Sequence, residues 1–422
     1  MLFIYRLLTF ILFPIFIILM FLRSFFKKED RKRFKEKIFT SSFSCDRDFN
    51  KKLYWFHAAS IGELNSIIPL IKKLNNKNIE FLITTVTLSS SLIVKKKLYK
   101  YKNIKHRFFP LDAKHLVESF LKSWNPNLIC FIDSEIWPNF ISEINKRKIP
   151  LALINGRITK KTLNRWKKFP KFAEKIFSSF DLCLASNKES MKNLEELKAK
   201  NIKYIGNLKF SVMPEVEKIN EQNKKHLDDF RVWCAASTHR GEESICLSAH
   251  LELKKKLKNL ITIIIPRHIA RASEIKKISK NLKLRTQVLN NNELINEEAE
   301  ILIINSFGVL SNYFSYCKNI FIGKSMIEKL LPVSGQNPIE AAKLGCNIYH
   351  GPYTYNFQEI YKLLKSYNIS HEIKNSEELK NMLIKNLDNL ENNNTKEVEL
   401  LNAYGQDILK KSTIEIINLA SQ

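Results

Sequence analysis

The stretch Leu53-Tyr54-Trp55-Phe56-His57-Ala58-Ala59-Ser60-Ile61-Gly62-Glu63 decides the fold. Its first four residues are a short, bulky apolar run. A cluster of small residues comes next, and then an amphipathic pattern that continues through Leu74. An apolar strand that empties through small residues into a helix is the start of a βαβ unit. Such a turn offers backbone N–H groups and a helix dipole to an anion. Glu63, in the first helical turn, is held ionised by that dipole and can accept a proton from an attacking hydroxyl; simple stabilisation of the helix N-terminus is the alternative role.

The same rhythm extends outward. Residues 53–56, 80–84, 128–132, 151–154 and 182–185 read as strands separated by helical patterns. Residues 211–229 are polar, contain Pro214 and suit a linker. A second series has strands at 232–236, 261–265, 300–304, 319–322 and 347–350. The stretch 389–394 reads as an Asn-rich loop before a last helix. Alternation of this kind predicts parallel sheets covered on both faces. The expected fold is α/β, with two Rossmann-like domains facing a central cleft at the carboxyl ends of their strands. Their expected bounds are residues 50–210 and 230–422, the last helix packing back on the first domain.

At 422 residues the chain is long enough for two cores. Its 69 Lys+Arg against 42 Asp+Glu give +27, which suits nucleic acid, an anionic membrane or a phosphorylated substrate. A nucleic-acid-binding protein would need a basic face with interleaved aromatics or a binding motif, and the sequence supplies neither. The seven cysteines are scattered without a C-x-x-C pair, which argues for reduced thiols and against a disulfide framework or zinc site.

Residues 7–22 carry no charge and are almost wholly apolar, and Arg23, Lys27, Lys28, Arg31, Lys32 and Arg33 close the run. Residues 1–33 therefore read as an uncleaved membrane-anchor helix with a basic flank, spanning the bilayer or lying in its interface. The basic flank keeps the two α/β domains on the cytoplasmic side, against anionic lipid.

Further strand ends carry polar residues. Asp133-Ser134-Glu135-Ile136-Trp137-Pro138-Asn139 offers two carboxylates, either for chemistry or to cap the following helix. Asn155-Gly156-Arg157 and Gly206-Asn207-Leu208-Lys209 offer cations. In the second half, Ala236-Ser237-Thr238-His239-Arg240-Gly241-Glu242 joins strand to helix, and Arg267 follows Pro266 at a strand end where its planar fork suits a phosphate. A carboxylate at Glu340 could bind ribose hydroxyls.

Together, HAASIGE, DSEIWPN, INGRIT, GNLKF, AASTHRGEE, IPRH, GQNPIEAAKLG and GPYTYNF, in this order from about Trp55 to Ile360, resemble the motifs of the 3-deoxy-D-manno-octulosonic acid (Kdo) transferases. The resemblance implies a GT-B glycosyltransferase with an N-terminal membrane segment. It implies inverting transfer of Kdo from CMP-Kdo to a lipid A precursor at the inner membrane, without metal or cofactor. Glu63 is then the general base, and Glu135 and Lys209 support the transition state. Pro266, Arg267, Phe307, Gly308, Val309, Asn337, Pro338, Ile339 and Glu340 contact the CMP part of the donor. Three positions depart from the family pattern: Lys324 stands where a second glycine is frequent, Gln336 where histidine is common and Val309 where an acidic residue is frequent. A backbone contact at Val309 would survive the change. These departures leave a UDP- or GDP-sugar transferase of the same fold as the competing enzyme.

Overall fold

The computed structural model describes residues 1–291, 293–306, 308–387 and 394–421. The chain divides into two compact units, Met1–Val212 with Tyr404–Gln422, and Met213–Ala403.

The first unit holds seven parallel strands: β1 (Lys52–His57), β2 (Ile79–Thr85), β3 (Ile104–Phe108), β4 (Leu128–Ile132), β5 (Leu151–Gly156), β6 (Leu182–Ala185) and β7 (Ile202–Tyr204). Their order is β3-β2-β1-β4-β5-β6-β7, which reverses direction between β1 and β4. Trp55 on β1 is fully buried against Phe120, Phe131 and Phe140. The later part of the last helix, Thr395–Ala420, belongs to this unit from Tyr404 on. Gly405 is required there, because a Cβ would lie 2.0 Å from the carbonyl oxygen of Phe210.

Among the described residues the second unit also holds seven parallel strands: β8 (Arg231–Thr238), β9 (Leu260–Pro266), β10 (Thr286–Leu289), β11 (Ile301–Ile304), β12 (Asn319–Ile322), β13 (Asn347–His350) and β14 (Ser370–Glu372). The order is β10-β11-β9-β8-β12-β13-β14. Here β11 inserts between β9 and β10, while the reversal point again flanks the first strand, between β8 and β12.

All ten strands expected from sequence are present. The four additional ones, β3, β7, β10 and β14, are the two edges of each sheet. An edge strand pairs on one side only, so it needs no continuous apolar run. The segment expected as a linker contains the helix Glu221–Asp228, capped by Asn220 Oδ1, which accepts from Gln222 N at 2.9 Å. Of the expected loop at 389–394, only Asn394 lies within the described residues.

The N-terminal segment departs from expectation. Instead of one helix there are two, Leu2–Ile11 and Phe13–Phe25, bent by 52°. Pro14 stands in the first turn of the second helix, where its missing N–H is tolerated but continuous helix is not favoured. Among the described residues no single helix is long and apolar enough to cross a membrane; this bent pair reaches that threshold only together. The stretch between the N-terminal helices and β1 is packed into the first unit. Phe34, Ile38 and Phe43 are buried, and Lys37 Nζ meets Glu29 Oε2 at 2.6 Å with both side chains only 4% exposed.

Candidate functional site

In the first unit the polar groups gather where the sheet reverses, at the carboxyl ends of β1 and β4, the position at which open α/β sheets bind ligands. Ser60 caps the helix Ile61–Leu74, its Oγ accepting from Glu63 N at 3.3 Å. Glu63 reaches back. Its Oε1 accepts from Ser60 Oγ at 2.7 Å and its Oε2 from Ala59 N at 2.8 Å. This resembles a capping box, with the carboxylate reaching the N–H of the residue before the cap, so the helix-stabilising role is real. It also fixes the carboxylate at the strand end. Burial pushes the Glu63 carboxyl up to about 7, against the pull of the Ser60 bond and with the charges of Glu135 and Asp133 adding to the rise.

Glu135 is shifted the other way. Burial alone would raise it, but the hydrogen bond and charge of His57 and the bond from Trp137 together hold it below the ordinary carboxylate value. Its Oε2 lies 3.1 Å from His57 Nε2 and accepts from Trp137 Nε1 at 2.8 Å. His57 is fully buried, stacked on Phe109 with ring centroids 3.6 Å apart, and its Nδ1 is 3.0 Å from Thr84 Oγ1. Nδ1 is also 3.2 Å from Thr84 O, and with Glu135 ionised a proton on Nε2 donates to that carboxylate. Two neighbouring carboxyls pushed apart in pKa divide the roles: Glu63 can exchange a proton near neutrality, while Glu135 remains a fixed charge.

Lys209 Nζ sits 3.7 Å from Asp133 Oδ2. The lysine's turn is locked by Asn155, whose Oδ1 accepts from Leu208 N at 2.9 Å. Asp133 has φ +58°, a left-handed conformation uncommon for a residue with a Cβ. Of the two tasks open to Asp133 and Glu135, capping the next helix, Pro138–Lys146, is not theirs. Asp112 takes it, accepting from Asn139 N at 3.0 Å and Phe140 N at 2.9 Å. His57, Trp137 and Asp112 thus carry roles that the strand-end motifs do not announce. A histidine ending an apolar strand, just before the small-residue turn, is the available signal for the first.

In the second unit the corresponding reversal point is organised by a buried carboxylate. Glu242 Oε2 accepts from His239 N at 2.9 Å and Lys324 N at 2.7 Å; Oε1 accepts from Ser325 N at 2.8 Å and Met326 N at 3.0 Å. One side chain thereby ties the turn after β8 to the turn after β12. Gly323 permits this approach, since a Cβ would meet Glu242 Oε2 at 2.7 Å.

Around that frame stand cations. Arg267 is exposed at the end of β9, its N–H donating to Thr238 O at 3.1 Å. Burial, and then the Arg267 charge, lower Lys324 below the usual lysine range. Burial and the charges of Lys324 and His268 hold His239 below its ordinary value, against its bond to Ser237. Among the described residues no carboxylate pairs with the side chain of Arg267 or Lys324. A cluster of cations lacking a carboxylate partner suits an anion.

The other expected donor contacts lie on connected turns of this unit. Gly335 N donates to Lys324 O at 2.7 Å, which joins the segment leading to Asn337, Pro338, Ile339 and Glu340 to the turn after β12. Asn337 Oδ1 accepts from Ile339 N at 3.2 Å. Glu340 accepts from Ser311, on the helix that follows the exposed Gly308 and half-buried Val309. Pro266 is buried at the end of β9. Phe307 lies outside the described residues.

Two parallel α/β units with polar groups gathered at each reversal point make a GT-B-like fold, one shared by glycosyltransferases and by nucleotide-sugar epimerases such as the UDP-GlcNAc 2-epimerase of Neisseria meningitidis, which superposes with a TM-score of 0.58 at 15% identity, covering 87% of this chain and 99% of that one. A solved structure titled as a glycosyltransferase from Rickettsia africae ESF-5 superposes with a TM-score of 0.59 at 12% identity, covering 88% of this chain and 99% of that one. A sequence model of the family described as "3-Deoxy-D-manno-octulosonic-acid transferase (kdotransferase)" matches residues 32–212. The 3-deoxy-D-manno-octulosonic acid transferase of Rickettsia bellii is 31% identical over 424 residues, 96% of this chain and 98% of the relative. The Haemophilus influenzae enzyme of the same name is 28% identical over 315 residues, 74% of this chain and 73% of the relative. The chain belongs to the 3-deoxy-D-manno-octulosonic acid transferase family.

Proposed function

We propose that this Kdo transferase uses CMP-Kdo as donor and a lipid A precursor as acceptor, working from the cytoplasmic face of the inner membrane. The observation that carries the catalytic part is the pair of oppositely shifted carboxyls in the first unit. The acceptor's sugar hydroxyl attacks the anomeric carbon of Kdo, and its proton passes to Glu63. The bond from that carbon to the CMP phosphate breaks, and CMP leaves with the electron pair. One displacement of this kind inverts the anomeric centre.

Glu63 suits the base role because a group titrating near 7 is both available as carboxylate and strong enough to take a proton at neutral pH. Glu135, ionised and held by His57 and Trp137, stabilises positive charge developing on the sugar. Lys209 offsets the acidic residues and holds Asp133 in place. The phosphate falls to Arg267 and, in this chain, to Lys324 beside it; the departure from glycine at Lys324 adds a cation to the donor turn. The apolar N-terminal pair and its basic flank support action on a lipid at an anionic membrane surface.

The test is incubation of the purified full-length protein with CMP-Kdo and a tetraacylated lipid A precursor, followed by mass spectrometry of the lipid. Addition of Kdo is expected. An unchanged lipid, with sugar transferred instead from a UDP- or GDP-sugar, would overturn the donor assignment.

A further inference from the structure

A membrane-spanning helix has its two ends on opposite faces of the bilayer and departs from the domain it anchors. The apolar N-terminal pair instead tracks the surface of the first unit along its length. Near its start, Tyr5 Oη donates to Asp112 Oδ2 at 2.8 Å, and Arg6 bonds Glu143 Oε1 at 2.7 Å and Asn139 Oδ1 at 3.2 Å. In the middle, Phe13 meets His115 edge-on with centroids 4.6 Å apart. Toward its end, Phe21 packs edge-on against Phe34 at 5.0 Å, and Arg23 Nε donates to Glu29 Oε1 at 2.9 Å. Glu29 is itself bound to the buried Lys37.

Both ends and the middle are therefore held by one folded unit. Crossing the bilayer would carry Tyr5 and Arg6 to the far side, away from Asp112 and Glu143. It would strip the buried Asp112 of its Tyr5 bond and the buried Glu143 of its Arg6 bond. Length points the same way. The uncharged run of 16 residues, 7–22, would rise about 24 Å as one straight helix, short of a hydrocarbon core of about 30 Å. The 52° bend shortens its reach further.

The uncovered side of the pair is apolar. Phe3, Phe10, Ile15, Ile18, Leu22 and Phe25 are all exposed. The exposed Lys27, Lys28, Arg31 and Lys32 come directly after, so apolar wedge and cationic flank adjoin, as in segments that lie in an anionic interface.

We infer that residues 1–26 lie in the plane of a single leaflet, on the same side of the membrane as the α/β units, as a bent wedge seated in anionic lipid. The inference rests on the membrane association proposed above. It gives the wedge a second task. Asp112 caps the helix that follows Glu135 as well as accepting from Tyr5, so the lipid-seated segment and the Glu135 turn are fixed to the same residue.

The test uses the full-length chain carrying an epitope tag before Met1, expressed in a Gram-negative host. Protease should remove the tag in inverted inner-membrane vesicles and spare it in intact spheroplasts. In a Cys45→Ser background, nitroxide-labelled Phe3→Cys, Phe10→Cys, Ile18→Cys and Phe25→Cys variants should report similar, shallow depths in phosphatidylglycerol-containing vesicles. Cleavage of the tag from outside spheroplasts, or depths that run through the bilayer centre along the segment, would overturn the in-plane topology while leaving membrane association intact. Failure of the untagged protein to float with those vesicles would instead defeat membrane association itself. A lipid-independent dimer abolished by Phe10→Glu would overturn the lipid seat and assign the apolar face to a second copy of the chain.

Discussion

The two sheets share parallel strands and a reversal point beside the first strand, yet the residues at those points have opposite character. In the first unit, Glu63, Asp133 and Glu135 gather, with Lys209 beside Asp133. In the second, Arg267, Lys324, His239 and His268 gather, and the carboxylate among them, Glu242, is spent on four backbone N–H groups. The topology supplies the same thing twice: strand ends and helix starts open to a ligand. On the proposed mechanism, charge divides the transfer reaction between the units, with carboxylates where a proton would be taken and cations where phosphate charge would be held.

That contrast breaks most completely at Glu63. Glu63→Gln keeps the size of the side chain but cannot accept the proton, so turnover should fall by about 100- to 10,000-fold with the fold retained. Near-normal kcat from a folded variant would remove the base assignment and leave Glu63 a helix cap. Next come the cations. Arg267→Ala should weaken CMP binding about 10- to 100-fold, the scale of a lost hydrogen bond to a charged group. Lys209→Ala should act mainly on kcat, if it meets charge that develops during reaction. Calorimetry on the former and steady-state kinetics on the latter separate the two, and unchanged CMP affinity in Arg267→Ala would erase the division.

The pH profile tests the acidic side without a mutation. A raised carboxyl loses its usefulness as a base when protonated, so kcat/KM should fall as pH drops through about 7. Each unit below that midpoint should cost about tenfold. An acid limb centred near 4.5 instead would mean that Glu63 titrates as an ordinary solvated glutamate. The smallest effect is expected at Lys324, which holds φ +60°. Lys324→Gly relieves left-handed strain while adding unfolded-chain entropy, so stability should stay within about 1 kcal/mol. CMP affinity should drop several-fold with the lost cation. Affinity equal to the parent's would make Lys324 a bystander of the donor turn.

A related prediction concerns the stretch before β1. Glu29→Ala leaves Lys37 buried without its carboxylate, and breaking such a pair costs about 3–5 kcal/mol. Denaturant unfolding of the first unit should register that loss. No change would mean that the stretch packs too loosely to matter.

How far each feature is legible in the sequence depends on how it is encoded. The ten strands buried on both sides are continuous apolar runs, such as Leu128-Ile129-Cys130-Phe131-Ile132, and announce themselves. The edge strands, such as Ile104-Lys105-His106-Arg107-Phe108, mix charge with apolar residues because one flank pairs with nothing, and their pattern is that of a loop. Glu63, Glu135, Lys209 and Arg267 were legible because each lies just past a strand. For the two carboxylates local sequence alone leaves the task undecided, since helix capping and chemistry use the same residue types.

By itself, then, the sequence determined the two α/β halves, the strand-end motifs and the apolar, basic-flanked start, because each depends on contiguous residues. Tertiary structure decided the rest, because each remaining feature joins residues far apart in the chain. Glu63 is raised by its burial in the folded unit, with the charges of Glu135 and Asp133 adding, and Glu135 is lowered where folding brings His57 beside it. Asp112, not Asp133 or Glu135, caps the helix Pro138–Lys146. Tyr5 and Arg6 are fixed to Asp112 and Glu143, more than a hundred residues away, and no local pattern announces a contact at that separation.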